Sequence, residues 1–227
     1  PNISKDYLAG NAPEEWIPLR PDSWFEERDI RLLTSRTVTA IQRDDRVVTL
    51  DDGTTACFGA PLLATGAAPT RLPSSVDNPR VHYLRTLADS RAIVAAAEHA
   101  REAVVIGASF IGLEVAASLR ARGLAVRVVA PEARPLERVM GPALSTFIRS
   151  LHESHGVVFH LEHTARSIGD DHVILDDGTR LSADLVVAGI GVRPNVALAE
   201  TASPRVDDGI LRRAYLATSV PGIFPVA

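Results

Sequence analysis

Hydrophobic positions change their period twice along this chain. From Arg31 the pattern is one of short strands, at 32–33, 37–41, 47–50 and 55–58, separated by polar turns at Arg43-Asp44-Asp45 and Asp52-Gly53. Apolar and β-branched runs broken by Asp/Gly turns predict a β-meander. It leads into Pro61-Leu62-Leu63-Ala64-Thr65-Gly66, an apolar strand that stops on glycine. Upstream, turn signals at 9–13, Pro18 and Pro21 leave room for one short helix over about 23–28, with Asp22 as its cap and Trp24 and Phe25 turned inward.

From Thr86 the period lengthens. Thr86-Leu87-Ala88-Asp89 has the form of a capping box ahead of Ile93, Val94, Ala96 and Ala97 at helical spacing. A buried strand at 103–106 runs into Gly107, and a helix follows over 110–120. A second strand at 126–129 precedes a helix over 142–155, opened by Pro142 and closed by Gly156. Strand, helix, strand, helix predicts a parallel sheet with its crossovers.

The two patterns are linked by an internal repeat. Asp51-Asp52-Gly53-Thr54 recurs as Asp176-Asp177-Gly178-Thr179, a shift of 176 − 51 = 125. Leu62, Leu63, Gly66 and Pro69 recur at a similar shift as Val186, Val187, Gly191 and Pro194. Each copy reads as a meander leading into an apolar strand that ends on glycine. The second copy is preceded by the glycine turn at Gly107, whose counterpart in the first would lie before Pro1. With Pro1 in place of Met, the chain is therefore expected to be an internal piece of a longer protein.

Composition narrows the function classes. A net charge of −4 over 227 residues gives no electrostatic footprint for nucleic acid. No apolar run approaches the roughly 18 residues of a membrane span. Cys57 is the one cysteine, so no intrachain disulfide or Cys-based zinc site can form, and the chain reads as belonging to a reducing, cytoplasmic compartment. Lys5 is the one lysine among 24 basic residues, a position where an amine rather than any cation is wanted.

The chemistry centres on Gly107-Ala108-Ser109-Phe110-Ile111-Gly112. Between strand and helix this is the dinucleotide-binding turn: Gly107 permits the tight turn, Gly112 lets the helix approach the sheet, and helix-start N–H groups face a pyrophosphate. Ser109 replaces the fingerprint's middle glycine, and its hydroxyl can donate to phosphate. The ribose-binding acid expected about 20 residues on is missing, because the second strand ends at Val129-Ala130. Glu132 either takes that role or is a solvated residue, and Arg134 is near enough in sequence to meet a 2′-phosphate, so NADH and NADPH both remain open. Glu114 stands on an otherwise apolar helix face, where an unpaired charge is expensive, and calls for a cationic partner.

The run 107–117, with Leu62-Leu63-Ala64-Thr65-Gly66, Gly189-Ile190-Gly191-Val192-Arg193-Pro194-Asn195 and Ser4-Lys5-Asp6-Tyr7-Leu8, resembles the two-dinucleotide flavoprotein reductases of the pyridine nucleotide-disulfide oxidoreductase superfamily. Within them it is similar to the ferredoxin-reductase and apoptosis-inducing-factor-like branch. The resemblance implies an α/β, Rossmann-like three-layer fold with a β-meander, in which an NAD(P) domain (76–200) is inserted between two pieces of a truncated FAD domain (1–75 and 201–227). It implies FAD and NAD(P)H as cofactors, hydride transfer from nicotinamide to flavin, and an iron–sulfur electron-transfer protein or domain as acceptor, and it leaves room for a homodimer. Lys5 matches the lysine beside the flavin N5 and Glu114 the glutamate that pairs with it. Thr65 and Gly66 match a turn lining FAD, and Ile190 and Gly191 a loop near the nicotinamide. The alternative within the same branch is an NADH-sensing interaction module. The identity of the acceptor is not legible.

His152, His155, His160 and His163 cluster in sequence, yet their spacing is not that of a helical zinc site, and they are read as surface residues with no metal.

Overall fold

The computed structural model describes residues 2–73, 77–202, 204–207, 209–213, 215 and 217–226. In chain order its strands are β1 (Val38–Gln42), β2 (Val47–Leu50), β3 (Thr55–Cys57), β4 (Leu62–Leu63), β5 (Ala67–Pro69), β6 (Val81–Tyr83), β7 (Glu102–Ile106), β8 (Ala125–Ala130), β9 (Val157–Leu161), β10 (Ala165–Ile168), β11 (His172–Leu175), β12 (Arg180–Ser182), β13 (Leu185–Ala188), β14 (Val192–Pro194) and β15 (Phe224–Pro225). Its helices are α1 (Asp6–Ala9), α2 (Asp22–Glu26), α3 (Leu87–Ala97), α4 (Phe110–Ala121), α5 (Glu137–Ser154) and α6 (Ala197–Thr201). Two compact units emerge: Pro1–Leu19 with Pro69–Gly191, and Arg20–Ala68 with Val192–Ala227.

The first unit is built on a five-stranded sheet of order β6-β13-β7-β8-β9, parallel at every pairing. Its strands alternate between two apolar faces. Ala103, Val105, Val126, Val128, Leu185 and Val187 face α3 and α4, whereas Val104, Ile106, Val129, Val186 and Ala188 face the three-stranded meander β10-β11-β12. A sheet covered on both sides must be apolar on both sides, which is why these strands read as continuous Val/Ile/Ala runs. The result is three layers: helices, parallel sheet, meander.

The helices start where the sequence placed them. Thr86 caps α3 in a reciprocal capping box with Asp89. Within α5, Gly141 adopts φ 72°, ψ 168°, so the regular helix begins at Pro142, where the missing N–H costs nothing. The N-terminal segment joins this unit rather than the other: Leu8 is fully buried in the helix-side core, and Ser118 Oγ donates to the Ser4 carbonyl at 2.9 Å. This grouping differs from the expected 1–75 segment, whose end at 75 lies outside the described residues.

The second unit contains the meander β1-β2-β3 and the parallel pair β15-β4, with α6 against β1. Three expectations fail here. Leu32-Leu33 forms no strand and stays about half exposed, with no segment paired to it among the described residues. Asp22 lies inside α2, whose N-cap is Pro21, and makes no side-chain cap. Trp24 is only partly covered, with the guanidinium groups of Arg20 and Arg28 stacked on its ring.

The repeat holds bond for bond. In the first meander Leu50 N donates to Thr54 O, and in the second Leu175 N donates to Thr179 O, both at 2.9 Å. Asp52 Oδ1 accepts from the Thr54 amide and hydroxyl, and the Asp177 carboxylate does the same for Thr179. Both meanders carry a bulge in their first strand pair, between Val38 and Ala40 and between Ala165 and Ser167.

Candidate nucleotide-binding site

Strand order reverses between β7 and β13, and in open α/β sheets ligands bind beyond the carboxyl ends of strands at such a switch point. Gly107 follows β7 and Gly189 follows β13. A Cβ at Gly107, whose φ is +106°, would lie 2.5 Å from the Gly189 carbonyl oxygen, and one at Gly112 would lie 2.1 Å from the Gly107 carbonyl oxygen. A Cβ at Gly189 would in turn meet the Gly112 backbone at 2.9 Å. The three glycines interlock, which draws the start of α4 against the ends of both strands.

Ser109 has a different task from the one expected. Its Oγ accepts from the Gly112 amide at 3.2 Å as N-cap of α4 and donates to the Gly189 carbonyl. The hydroxyl proton is thus already committed, and Ser109 holds the helix start to the β13 loop rather than offering a donor to phosphate. Of the first-turn amides, that of Gly112 is taken by Ser109, whereas those of Phe110 and Ile111 have no intrahelical acceptor, and Phe110 borders a cleft.

That cleft encloses about 500 Å³, a size suited to a small-molecule ligand, and is bordered by Gly107, Ser109 and Phe110, by Glu132, and by Ile190 and Gly191. Three residues expected at the nicotinamide dinucleotide are not on its border, and of these Gly112 lies against the backbone of Gly107 and Gly189 instead. Ile111 packs against the helix-side core. Arg134 turns to Glu137, Nη1 to Oε1 at 2.7 Å. Leu136 lies in the left-handed region (φ 57°), and it borders the cleft together with Glu137, Arg138 and Val139. Sequence reasoning missed Arg138, since no motif marks it. It also passed over Gly189 as a packing residue, although the glycine spacing 107, 112, 189 was available as a signal.

Lys5 and Glu114 do come together, with Nζ 3.1 Å from Oε1. Ser4 Oγ donates to the other carboxylate oxygen at 2.6 Å across 110 residues of sequence. The segment is pinned by Ser90 Oγ to the Ile3 carbonyl and by Ser118 to the Ser4 carbonyl. Glu114 is less buried than its apolar neighbours suggested: the Lys5 and Glu114 side chains are 56% and 29% exposed. Such a solvated pair contributes little to stability. Neither residue borders the cleft; Glu114 stands about one helical turn beyond Phe110 on α4.

Thr65 and Gly66 belong to the second unit, where they are tied to the start of its returning segment. Thr65 Oγ1 donates to the Asn195 carbonyl at 2.6 Å, Asn195 Nδ2 donates to the Thr65 carbonyl at 2.9 Å, and Asn195 N donates to the Gly66 carbonyl at 2.9 Å. Of the histidines, burial lowers the pKa of His152 and of His160, whereas the Asp176 carboxylate hydrogen-bonded to His163 Nδ1 at 2.9 Å raises that of His163. His163, Asp176 and Asp177 bring one imidazole and two carboxylates within 4.8 Å of one another beside the second meander's turn.

The family model of pyridine nucleotide-disulphide oxidoreductases matches residues 1–227. The chain belongs to that family. Among curated relatives of this family member, the ferredoxin–NAD(+) reductase component of the anthranilate 1,2-dioxygenase system of Burkholderia cepacia is 38% identical over 229 residues, covering 99% of the chain and 56% of the relative. Putidaredoxin reductase CamA of Pseudomonas putida is 40% identical over 239 residues, covering 100% and 56%. The crystal structure of a covalent putidaredoxin reductase–putidaredoxin complex superposes with a TM-score of 0.93 at 39% identity, covering the whole chain and 57% of that chain. This family member therefore spans a little over half the length of the relatives it matches. Among its described residues no helix is long and apolar enough to cross a membrane.

Proposed function

We propose that this chain is the nucleotide-binding part of an FAD-dependent NAD(P)H oxidoreductase that passes electrons to a ferredoxin-type iron–sulfur acceptor. The interlocked glycines at the strand-order switch carry the reading. They form a cradle that any Cβ would fill, and they set the start of α4 beside a cleft of suitable size for a dinucleotide, where a helix N-terminus favours a pyrophosphate. When bound, nicotinamide and flavin supply the hydride donor and acceptor, and the chain's own residues do the positioning. Gly107, Gly112 and Gly189 bring helix α4 close to the pyrophosphate. Phe110, Ile190 and Gly191 border the same cleft, and Glu132 stands on its adenosine side.

Lys5 and Glu114 act as a unit: Ser4 and Lys5 together occupy both carboxylate oxygens of Glu114, which holds the ammonium in one place. A fixed ammonium favours negative charge developing on a flavin as it gains electrons, and a guanidinium fork would present that charge differently. Thr65 and Gly66 belong to the flavin side through their backbone amides, since Asn195 uses the Thr65 hydroxyl proton and both carbonyls. The acceptor class rests on the named relatives, which are reductases of ferredoxins and of putidaredoxin; no observation on this chain favours the redox-sensing module.

The test is single-turnover reduction by NADH in the flavin-bound parent protein. Lys5→Met is expected to slow flavin reduction by at least about tenfold while nucleotide affinity is kept, with Lys5→Arg recovering only part of the rate. An unchanged rate in Lys5→Met removes Lys5 from the mechanism.

A further inference from the structure

The contact between Lys5 and Glu114 is solvated, so on its own it orders two flexible side chains only weakly. The ammonium is therefore placed only as well as the main chain that carries it. Around residues 3–5 that main chain is held by hydroxyls from two helices, and every bond ends on a carbonyl. Ser90 Oγ of α3 donates to the Ile3 carbonyl at 2.6 Å, and Ser118 Oγ of α4 lies 2.9 Å from the Ser4 carbonyl oxygen and 3.3 Å from that of Lys5. Both serines are buried. The next anchor along the chain is Arg122, just past α4, which donates to the Leu8 carbonyl.

A serine inside a helix commonly turns its hydroxyl back to the carbonyl four residues earlier. For Ser118 that residue is Glu114, and the hydroxyl leaves the helix instead. Glu114 and Ser118, four apart, share one face of α4 and reach the same dipeptide. Glu114 takes the Ser4 hydroxyl and the Lys5 ammonium, and Ser118 takes the carbonyls of the same two residues. The same helix opens at the glycine turn, where Phe110 borders the cleft, 118 − 110 = 8 residues or about 12 Å before Ser118. One rigid element thus carries both the nucleotide turn and the seat of the ammonium. We propose that Ser118 is a positioning residue for flavin reduction: it acts through Lys5, by fixing the main chain from which the ammonium is presented. Its hydroxyl touches neither cofactor in this role. The proposal rests on reading Lys5 as the ammonium beside the flavin.

Single-turnover reduction by NADH in the flavin-bound parent protein, run as a double-mutant cycle with Lys5→Met, tests it. Ser118→Ala is expected to slow flavin reduction by about fivefold and to change the NADH dissociation constant by less than about twofold. In the Lys5→Met background the same substitution should slow reduction by less than about twofold, since a residue that acts through Lys5 has nothing left to position. Ser90→Ala, which frees the Ile3 carbonyl, should follow the same pattern with a smaller first step, and it reads the same outcomes if Ser118→Ala does not retain flavin. Full-rate reduction in Ser118→Ala, an equal loss in NADH affinity, or losses that multiply across the cycle overturn the positioning role, while a slow Lys5→Met leaves the Lys5 reading standing. An unchanged rate in Lys5→Met overturns that reading and this proposal with it.

Discussion

The two meanders are the same small machine placed under different strands. Their turns match bond for bond, with an Asp carboxylate accepting from a Thr amide and hydroxyl two residues on, followed by an apolar strand. After the second meander that strand is β13, four residues buried without exception and paired on both sides in the five-stranded sheet. After the first it is β4, two residues long, paired with β15 and with Leu62 60% exposed. The local repeat sets the turn, and the neighbours available to the next strand set how deep it goes.

Replacing the leading leucine of each strand should break the symmetry most sharply. Leu185→Ala is expected to cost about 3 kcal/mol, as a cavity in a covered sheet does. Leu62→Ala should cost less than about 0.5 kcal/mol, as an exposed position does. Urea unfolding, read on the unit that carries each strand, decides the matter; comparable losses would mean that β4 is as deeply built as β13.

The turns themselves should respond alike. Gly53 and Gly178 have φ of +81° and +89° with open space where a Cβ would stand, so substitution meets conformational cost and no clash. Gly53→Ala and Gly178→Ala should each destabilise by about 1 kcal/mol. A marked inequality would show that the two turns are alike in sequence only.

The smallest difference is in pH response. In the first turn Arg36 pairs with Asp52, whose pKa is lowered chiefly by its hydrogen bond from the Thr54 hydroxyl. In the second, His163 pairs with Asp176, with Asp177 and Glu162 adding to the upward shift of the histidine. A raised histidine stabilises fully below its unfolded value of about 6.5, and that contribution is lost as pH rises through the folded value. The lowered carboxylates lose theirs only in acid. Between about pH 6 and 8 the amides of the second turn should therefore gain in hydrogen exchange, after correction for the intrinsic rate, while those of the first stay flat. Substituting His163→Arg should make the two profiles coincide, and parallel profiles in the unmodified chain would refute the distinction.

Much of the fold was legible because its signals are local. A capping box at Thr86, a proline after a glycine at 141–142 and glycines at obligatory turns act within a few residues, so sequence spacing suffices to read them. Leu32-Leu33 shows the limit: two apolar residues make a strand only if another segment pairs with them, and none of the described residues does. The candidate site divides along the same line. The glycine turn and the Lys5–Glu114 pair could be named from motifs, whereas no motif marks Arg138, which borders the cleft while Arg134 turns to Glu137.

By itself, then, the sequence determined the periodic elements, the repeated turn and the residues whose chemistry depends on type: Gly107 and Gly112 of the strand-to-helix turn, and one lysine among arginines. Tertiary structure decided which chain segments keep company. It attached residues up to Leu19 to the unit that holds the parallel sheet, took the Ser109 hydroxyl for the β13 loop, and set Arg138 but not Arg134 on the border of the cleft. The physical reason is reach: a turn or a cap is settled by atoms a few bonds away, but an ion pair or a cleft border depends on where the backbone has been carried by contacts far off in sequence.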